Sequence, residues 1–298
     1  MSLDFRPPSK AEIEQAAARL FTSESFIEKD WHVVRAIALL NELQNDHLQL
    51  VFSGGTSLAK AGLIKRFSED VDFRAVIKPT TRNRYREERD RIIATFIAQH
   101  FTILDPPIIA DGSKFFSLRL DYTAVFGGNS ALRPYLRVEV SFTPPRIDPI
   151  HRPVQSLIGQ VAGHDIEISS MPFVDPVEIA ADKLSALAWR LLSDNGVTDQ
   201  SLVRHVHDLA ALEPMIKANN FFSDLVYQAF ADDKGRGGIK DSTIPQRLQN
   251  IVQVLRQEAS WAHAYQNFVQ QASFARDDDQ ISFLNALQAC ERLIELVD

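Results

Sequence analysis

Hydrophobic and polar residues at the start of the 298-residue chain follow the period of an α-helix. Ser9 precedes the first such stretch and has Glu12 three residues later, which is the spacing of a capping box. Ser25 precedes a second stretch in the same way, with Glu28 three residues later. The pattern predicts that the chain opens with two helices.

The middle third changes to strand-like patterns, in which apolar residues alternate with polar ones or form short runs. Strands are predicted at residues 50–52, 70–77, 114–122 and 135–142. Helices are predicted at residues 58–64, after a glycine-containing turn, and at the basic segment 82–91, which leads into 92–96. We therefore expect a sheet with helices packed on it.

The last part of the chain is helical in its period. Asp175 followed by Pro176, with Glu178 three residues after Asp175, is a strong helix start. Almost everything beyond it repeats with helical spacing, except for the charged, glycine-rich segment 232–238, which predicts a loop. The second part is therefore predicted to be all helical.

This change of pattern places a domain boundary near residues 171–175. The two predicted domains are residues 1–172 and residues 173–298. With 45% hydrophobic and 24% charged residues, a chain of this length can bury a core in each part. Because strands and helices are mixed in the first part only, we predict an α+β fold with a helical carboxyl-terminal domain.

Charge and cysteine content narrow the class of protein. The formal net charge of −7 gives no overall basic footprint, so a nucleic-acid partner would have to contact a local basic patch. The single cysteine, Cys290, excludes a disulfide within the chain and a multi-cysteine metal site. No signal-peptide core and no apolar run of about 18 residues is present. We expect a cytoplasmic protein that is not embedded in a membrane.

The segment Ser53-Gly54-Gly55-Thr56-Ser57 lies between a predicted strand and a predicted helix. Adjacent glycines let backbone N–H groups approach a ligand closely, and the amino end of a helix adds positive potential suited to phosphate. The hydroxyls of Ser53, Thr56 and Ser57 are further candidate donors. The segment is a candidate nucleotide-binding turn, and its alternative is a turn that only needs permissive backbone angles.

Two aspartates follow this turn at short range. The period of a strand puts Asp70 and Asp72 on one face, while Val71 and Phe73 point to the core. Two neighbouring carboxylates are the hard oxygen ligands with which proteins hold Mg²⁺ beside substrate phosphates. Asp70 and Asp72 are therefore candidate metal ligands, and the alternative is a solvated face of an edge strand.

A third carboxylate is expected on a neighbouring strand. Glu139 lies on the polar face of the predicted strand 135–142, whose other face is apolar. Asp121, at the end of the strand 114–122, is a competing candidate. Glu139 could also be only a cross-strand partner of an arginine. We favour Glu139 as the third metal ligand.

Four segments of the chain form a recognisable combination. They are Glu28-Lys29-Asp30, residues 53–58, residues 66–72 and residues 182–190. Together they resemble the AbiEii family, the nucleotidyltransferase toxins of type IV toxin-antitoxin systems, over most of residues 25–215. The resemblance implies a nucleotidyltransferase domain of the DNA polymerase β type followed by an all-helical domain.

The resemblance also implies roles for residues of the helical part. Lys183 would contact the nucleoside triphosphate, and Arg190, seven positions later on the same helix face, would assist it. Asp208 would orient Lys183 or act as a base, and a structural salt bridge is its alternative role. His205 and His207 diverge on a helix and are poor candidates for a zinc pair.

The function implied is Mg²⁺-dependent transfer of a nucleoside monophosphate from an NTP to an acceptor hydroxyl, with Mn²⁺ as the alternative ion. By resemblance the acceptor is tRNA or another RNA, and the chain has an antitoxin partner. Candidate RNA contacts are the basic stretches 65–66, 82–91 and 146–152, although the acidic residues within 82–91 also suit a solvated face. The competing functions are transfer of a nucleoside monophosphate or a phosphate to a protein, and inactive NTP binding by a partner of an antitoxin.

Overall fold

The computed structural model describes residues 6–126, 132–193, 199–234, 243–275 and 279–297. The chain divides into two compact units. Met1–Gly62 and Phe67–Val174 form the first, which we call the sheet unit. Leu63–Arg66 and Asp175–Asp298 form the second, which we call the helical unit.

The sheet unit is built on one mixed β-sheet. Its strands are β1 (Leu48–Ser53), β2 (Asp70–Ile77), β3 (Thr102–Ile103), β4 (Ile108–Ala110), β5 (Phe115–Asp121), β6 (Leu136–Ser141), β7 (Ile150–Val154) and β8 (Ile168–Phe173). Its helices are α1 (Lys10–Leu20), α2 (Glu24–Glu42), α3 (Gly54–Lys60), α4 (Arg82–Ala98) and α5 (Leu157–Ala162). The strand order is β3-β5-β6-β2-β1-β8-β7, with β4 also paired to β5.

One face of the central strands is apolar and forms the main core of the sheet unit. Phe52 of β1, Phe73 of β2 and Val140 of β6 are buried there together with apolar residues of α2 and α4. Successive side chains of a strand point to opposite faces of its sheet. Asp70 and Asp72 of β2 therefore lie on the other, polar face, as their alternation predicted.

The helical unit contains helices only, within the ranges given above. These are α6 (Pro176–Leu191), α7 (Val203–Lys217), α8 (Phe222–Asp232), α9 (Ile244–Gln257), α10 (Ala259–Ala272) and α11 (Phe283–Ile294), with a short 3₁₀ turn at Gln200–Leu202. Cys290 is buried in α11. None of the helices described is long and apolar enough to cross a membrane.

Two predicted helix starts are confirmed by their caps. The Ser9 hydroxyl accepts a hydrogen bond from the backbone N–H of Glu12, whose side chain accepts one from the N–H of Ser9. The carboxylate of Asp175 accepts one from the N–H of Val177, with proline in the first turn of α6. Local sequence is sufficient to predict these ends, because a cap satisfies backbone groups within three residues of itself.

Two other local predictions are wrong. The second helix begins at Glu24 after Ser23, and Glu28 makes no capping box with Ser25, because its carboxylate accepts hydrogen bonds from backbone N–H groups elsewhere in the sheet unit. The helix after the glycine turn was predicted at residues 58–64, but it begins at Gly54.

The predicted loop 232–238 begins after Asp232, the last residue of α8, and residues 235–238 lie outside the described ranges.

Candidate active site

Asp72 lies on the polar face of the sheet unit between two paired strands. It pairs with Ser53 of β1 on one side and with Glu139 of β6 on the other. Residues paired across neighbouring strands project their side chains to the same face. Asp70, two residues earlier, pairs in the same way with Arg137. The register therefore gathers three carboxylates and one guanidinium on one face.

Gly54 lies directly against the carboxylate of Asp72. Its φ of +74° is in the left-handed region that residues with a Cβ rarely adopt. A Cβ built on Gly54 would lie 2.1 Å from Oδ2 of Asp72. Glycine is required at this position by both the backbone angle and the carboxylate, which is a stronger constraint than a permissive turn.

The hydroxyl groups of α3 are used within the protein. Thr56 and Ser57 are each 1% exposed. The Thr56 hydroxyl donates to the backbone carbonyl of Asp70, and the Ser57 hydroxyl donates to the carbonyl of Gly54 at 2.9 Å. Because a hydroxyl has only one proton to donate, this arrangement does not support phosphate binding by Thr56 or Ser57. Ser53 makes no side-chain cap hydrogen bond and stays a candidate.

Asp70 is held by two arginines. Arg137 binds it in a bidentate manner, with Nε 3.0 Å from Oδ1 and Nη2 2.8 Å from Oδ2. The Nη1 of Arg133 donates to the same Oδ1. Burial raises the pKa of Asp70, but Arg137 and then Arg133 lower it by more, so that its pKa lies below the ordinary value. Asp70 is an ionised carboxylate with its charge compensated.

Glu139 and Asp121 occupy very different places. Glu139 lies on β6, next to β2, and its Oε1 accepts a hydrogen bond of 3.3 Å from Ser117 of β5. Asp121 is exposed and pairs with Thr102 of β3, on strands that do not adjoin β2. Of these two candidates, the fold brings Glu139 to Asp72.

A divalent cation fits this face by the chemistry of its donors. Asp72 and Glu139 offer hard oxygen ligands in register, and Asp70 offers a third on the same face. No group of three or more acidic, His or Cys side chains among the described residues is already arranged to hold a metal. Asp70 does not complete such a group, because its carboxylate is bound by Arg133 and Arg137. The candidate residues for holding a divalent cation are therefore Asp72 and Glu139, with Asp70 on the same face.

Three consecutive charged residues of α2 are buried in the sheet unit. Glu28, Lys29 and Asp30 are 3%, 0% and 4% exposed. Glu28 accepts from two backbone N–H groups that follow β5, Lys29 binds Glu69 at 2.5 Å, and Asp30 binds Lys60 at 2.5 Å. Glu28-Lys29-Asp30 is one of the four segments of the resemblance, but apart from the capping box predicted for Glu28 the sequence assigned these residues no role.

The helical unit holds a second charge cluster around Asp208 of α7. Asp208 is fully buried and accepts two hydrogen bonds of 2.7 Å from Arg66. It also forms an ion pair of 2.8 Å with Lys183. Arg66, predicted to belong to a basic RNA-binding stretch, is only 4% exposed, so that prediction is wrong for this residue. Both oxygens of Asp208 have cationic partners, which agrees with orienting Lys183 and with a salt-bridge role.

The protonation states follow from this pairing. Burial raises the pKa of Asp208, but Arg66 and Lys183 bring it well below the ordinary value. Burial lowers the pKa of Lys183, and Asp208 opposes that effect only in part. Because one carboxylate faces two cations, Asp208 is ionised, and Lys183 holds its proton less firmly than an exposed lysine does.

Lys183 and Arg190 do not share an anion. Arg190 binds Asp199, and its Nη1 lies 3.5 Å from Nε2 of His205, whereas Lys183 binds Asp208. Their alignment on one helix face therefore brings them to different carboxylates.

Cations of two of the basic stretches, residues 65–66 and 82–91, have acidic partners. On α4, Arg84 and Arg91 both bind Glu88, and Arg89 binds Asp90. This arrangement agrees with the solvated-face alternative for residues 82–91. In the helical unit, Lys65 binds Asp279 at 2.5 Å, and both side chains are more than half exposed. A contact of these cations with RNA would compete with acidic partners that are already present.

Known proteins were compared with the chain as a whole. The family model of the AbiEii nucleotidyl transferase toxins, type IV toxin-antitoxin system, matches residues 38–289. No curated protein shows significant similarity to the chain. Among solved structures, the chain is similar to MenT4, a nucleotidyltransferase toxin from Mycobacterium tuberculosis H37Rv, with 19% identity, a TM-score of 0.51, and coverage of 96% of this chain and 98% of that chain.

A second solved structure is JHP933 from Helicobacter pylori, with 17% identity, a TM-score of 0.48 and coverage of 92% of both chains. The likeness to MenT4 concerns the fold and agrees with the predicted α+β class. The family model covers far more than half of the 298 residues. The chain therefore belongs to the AbiEii family of nucleotidyltransferase toxins of type IV toxin-antitoxin systems.

Proposed function

We propose that this nucleotidyltransferase moves a nucleoside monophosphate from an NTP to an acceptor hydroxyl at the polar face of the sheet unit. Mg²⁺ would be held there by Asp70, Asp72 and Glu139. The observation that carries the proposal is the pairing of Asp72 with Glu139, together with Gly54 packed against the Asp72 carboxylate. Carboxylates beside a close-approaching backbone suit a metal-bound triphosphate.

In the proposed reaction the acceptor oxygen attacks the α-phosphorus of the NTP. A new oxygen–phosphorus bond forms, the bond from the α-phosphorus to the bridging oxygen breaks, pyrophosphate leaves, and the acceptor hydroxyl gives its proton to water. When bound, Mg²⁺ would supply positive charge beside the phosphates. Asp72 and Glu139 would fix the ion, and the N–H groups of Gly54 and Gly55 would face phosphate oxygens. Positioning and electrostatics supply most of the catalysis in such sites.

The roles of Lys183 and Asp208 are also proposals. The motif resemblance implies that Lys183 contacts the triphosphate and that Asp208 orients it. The ion pair of 2.8 Å between them supports the orienting role. Contact of Arg190 with the nucleotide stays a prediction of the sequence, and its partner Asp199 would have to release it.

For the acceptor we propose tRNA, and for the protein partner an antitoxin. A type IV toxin-antitoxin family implies the antitoxin, and the motif resemblance is the support for tRNA. Because the net charge is −7, RNA would bind through local cations, and its binding should weaken steeply as salt is raised. Binding that is insensitive to salt would contradict an RNA acceptor.

The test is incubation of the purified chain with total tRNA, Mg²⁺ or Mn²⁺ and each of the four labelled ribonucleoside triphosphates. Asp72→Asn is the inactive variant, and Asp121→Asn is the matched control, because it removes a carboxylate of the same sheet that does not adjoin β2. We expect label in RNA with the wild type and Asp121→Asn, and none with Asp72→Asn.

Other outcomes separate the competing functions. Label in protein, located by mass spectrometry, would replace tRNA by a protein acceptor. Nucleotide binding without turnover would identify an NTP-binding partner of an antitoxin. Unchanged transfer by Asp72→Asn would contradict the proposed site itself, since a lost metal ligand should slow transfer by about a hundredfold or more.

A further inference from the structure

The charges around Asp70 form a continuous row of alternating sign within the sheet unit. In order, the row consists of Lys29, Glu69, Arg133, Asp70, Arg137 and Glu139. Consecutive members are joined by ion pairs of at most 3.6 Å. Three cations and three anions make the row neutral, and its last member pairs in register with Asp72.

Lys29 is the buried end of this row. Its side chain is 0% exposed, whereas the side chains of Arg133 and Arg137 are 30% and 31% exposed. The Nζ of Lys29 lies 2.5 Å from Oε2 of Glu69 and also donates to the backbone carbonyl of Arg133. A buried ammonium needs such partners, because no water replaces them. Lys29 therefore fixes both Glu69 and the backbone at residue 133.

Arg133 is shared between two carboxylates. Its backbone N–H donates to Oε2 of Glu69 at 3.2 Å, and its Nε lies 3.6 Å from Oε1 of Glu69. The Nη1 of the same guanidinium binds Asp70. Lys29 satisfies part of the charge of Glu69 and so leaves Arg133 available to Asp70. Without Lys29, Glu69 would draw the guanidinium towards itself.

We infer that Lys29 is a positioning residue that sets the affinity of the Asp70 and Asp72 pair for a divalent cation, acting through Glu69 and Arg133. A guanidinium and a metal ion compete for the same carboxylate, and a cation close to a metal ion also repels it. By keeping Arg133 on Asp70, Lys29 weakens the binding of a free cation. The site then favours a cation that arrives with a triphosphate, whose oxygens supply further ligands. The inference rests on the proposed function in taking Asp70 as a metal ligand.

The test measures Mn²⁺ binding to the full chain without nucleotide, from the loss of the free-ion signal in electron paramagnetic resonance. We expect Lys29→Met to bind Mn²⁺ about tenfold more tightly than the wild type, because Arg133 moves to Glu69. The double variant Lys29→Met/Glu69→Gln should return to the wild-type affinity within about threefold, since the neutral amide that replaces the carboxylate no longer draws the guanidinium.

Arg133→Gln tests the intermediate step. This variant should also bind Mn²⁺ about tenfold more tightly, and adding Lys29→Met to it should change the affinity no further. Non-additivity of this kind is not expected from general damage to the fold. Asp30→Asn is the matched control, because Asp30 is next to Lys29 on α2 and the change breaks another buried ion pair, that of Asp30 with Lys60. It should lower thermal stability and leave Mn²⁺ affinity unchanged.

An unchanged or weaker affinity in folded Lys29→Met, or a double variant that fails to restore it, would overturn the inference. If Lys29→Met does not fold, Glu69→Gln takes its place. It should weaken Mn²⁺ binding about threefold, and this effect should vanish in Arg133→Gln. The proposed function is tested separately, because it fails if the wild type transfers no nucleotide. If the wild type is active but the variants bind Mn²⁺ as the wild type does, only the role of Lys29 is contradicted.

Discussion

Two charge clusters of this protein each join one aspartate to two cations, but in different surroundings. In the sheet unit, Asp70 is held by Arg133 and Arg137, and the three side chains are 12%, 30% and 31% exposed. In the helical unit, Asp208 is held by Arg66 and Lys183, and none of the three is more than 8% exposed. Each cluster is one aspartate with two cations, so burial is what distinguishes them.

Burial decides what each cluster can do. Partners that reach water can exchange for a ligand at small cost, because exposed ion pairs contribute little to stability. A carboxylate buried with two cations cannot lose a partner without leaving an uncompensated charge in the interior. We therefore expect changes in the sheet unit's cluster to affect mainly activity, and changes in the helical unit's cluster to affect stability in addition to the proposed orientation of Lys183.

The largest expected effect comes from Asp70→Asn. Loss of a metal carboxylate should lower the rate of nucleotide transfer about a thousandfold, because charge stabilisation in the transition state is lost. The free energy of unfolding should fall by less than it does in Asp208→Asn, since water can reach the two arginines that are left without Asp70. Single-turnover rates and urea unfolding measure the two quantities. An active Asp70→Asn variant would contradict the role of Asp70 as a metal ligand.

Asp208→Asn should have the largest effect on stability. Removal of the anion leaves Arg66 and Lys183 buried without a counter-charge, which should cost about 3–5 kcal/mol in urea unfolding. Asp199→Asn is the matched control, because its pair with Arg190 is partly exposed. Unchanged stability in Asp208→Asn would contradict the structural role of this ion pair and would leave only the proposed orientation of Lys183.

His32 of the sheet unit extends the comparison to a buried group that stays neutral. Burial, and then Arg35, lowers the pKa of His32 from 6.5 to about 4. In the unfolded chain His32 takes up a proton below pH 6.5, whereas the folded protein resists it until about pH 4. Stability is therefore lost as the pH falls through this window, by about 3 kcal/mol for this residue.

The measurement for His32 is the free energy of unfolding of the wild type and of His32→Phe at pH 7 and pH 4.5. The variant should lose less stability between these pH values, because it has no imidazole to protonate in the unfolded state. The aromatic ring preserves packing against Tyr122, whose centroid lies 4.5 Å from that of His32. Equal losses in the two proteins would contradict the assigned neutral state.

The smallest effect on stability is expected for Arg190→Gln. Its ion pair with Asp199 is partly exposed, so the free energy of unfolding should change by less than about 1 kcal/mol. Measuring the KM for NTP in this variant tests the nucleotide contact that the sequence predicts. A higher KM with unchanged stability would support that contact, and an unchanged KM would contradict it.

Sequence patterns predicted features whose causes lie within a few residues. The capping box of Ser9, the start of α6 at Asp175 and the strand that carries Asp70 and Asp72 all follow from local hydrogen bonds or from the period of two in a strand. The helix start at Ser25 failed because Glu28 has a distant partner. Local rules hold where no tertiary contact competes with them.

The amino-acid order was enough to place Asp70 and Asp72 on one face of a strand, and to predict the caps, the helical second part and the motifs of the family. Which distant charges meet could be learned only from the folded chain. Asp70 is 67 residues from Arg137, and Arg66 is 142 residues from Asp208. Strand register and helix packing bring such residues together, and burial then decides whether a cation such as Arg66 faces solvent or a counter-charge.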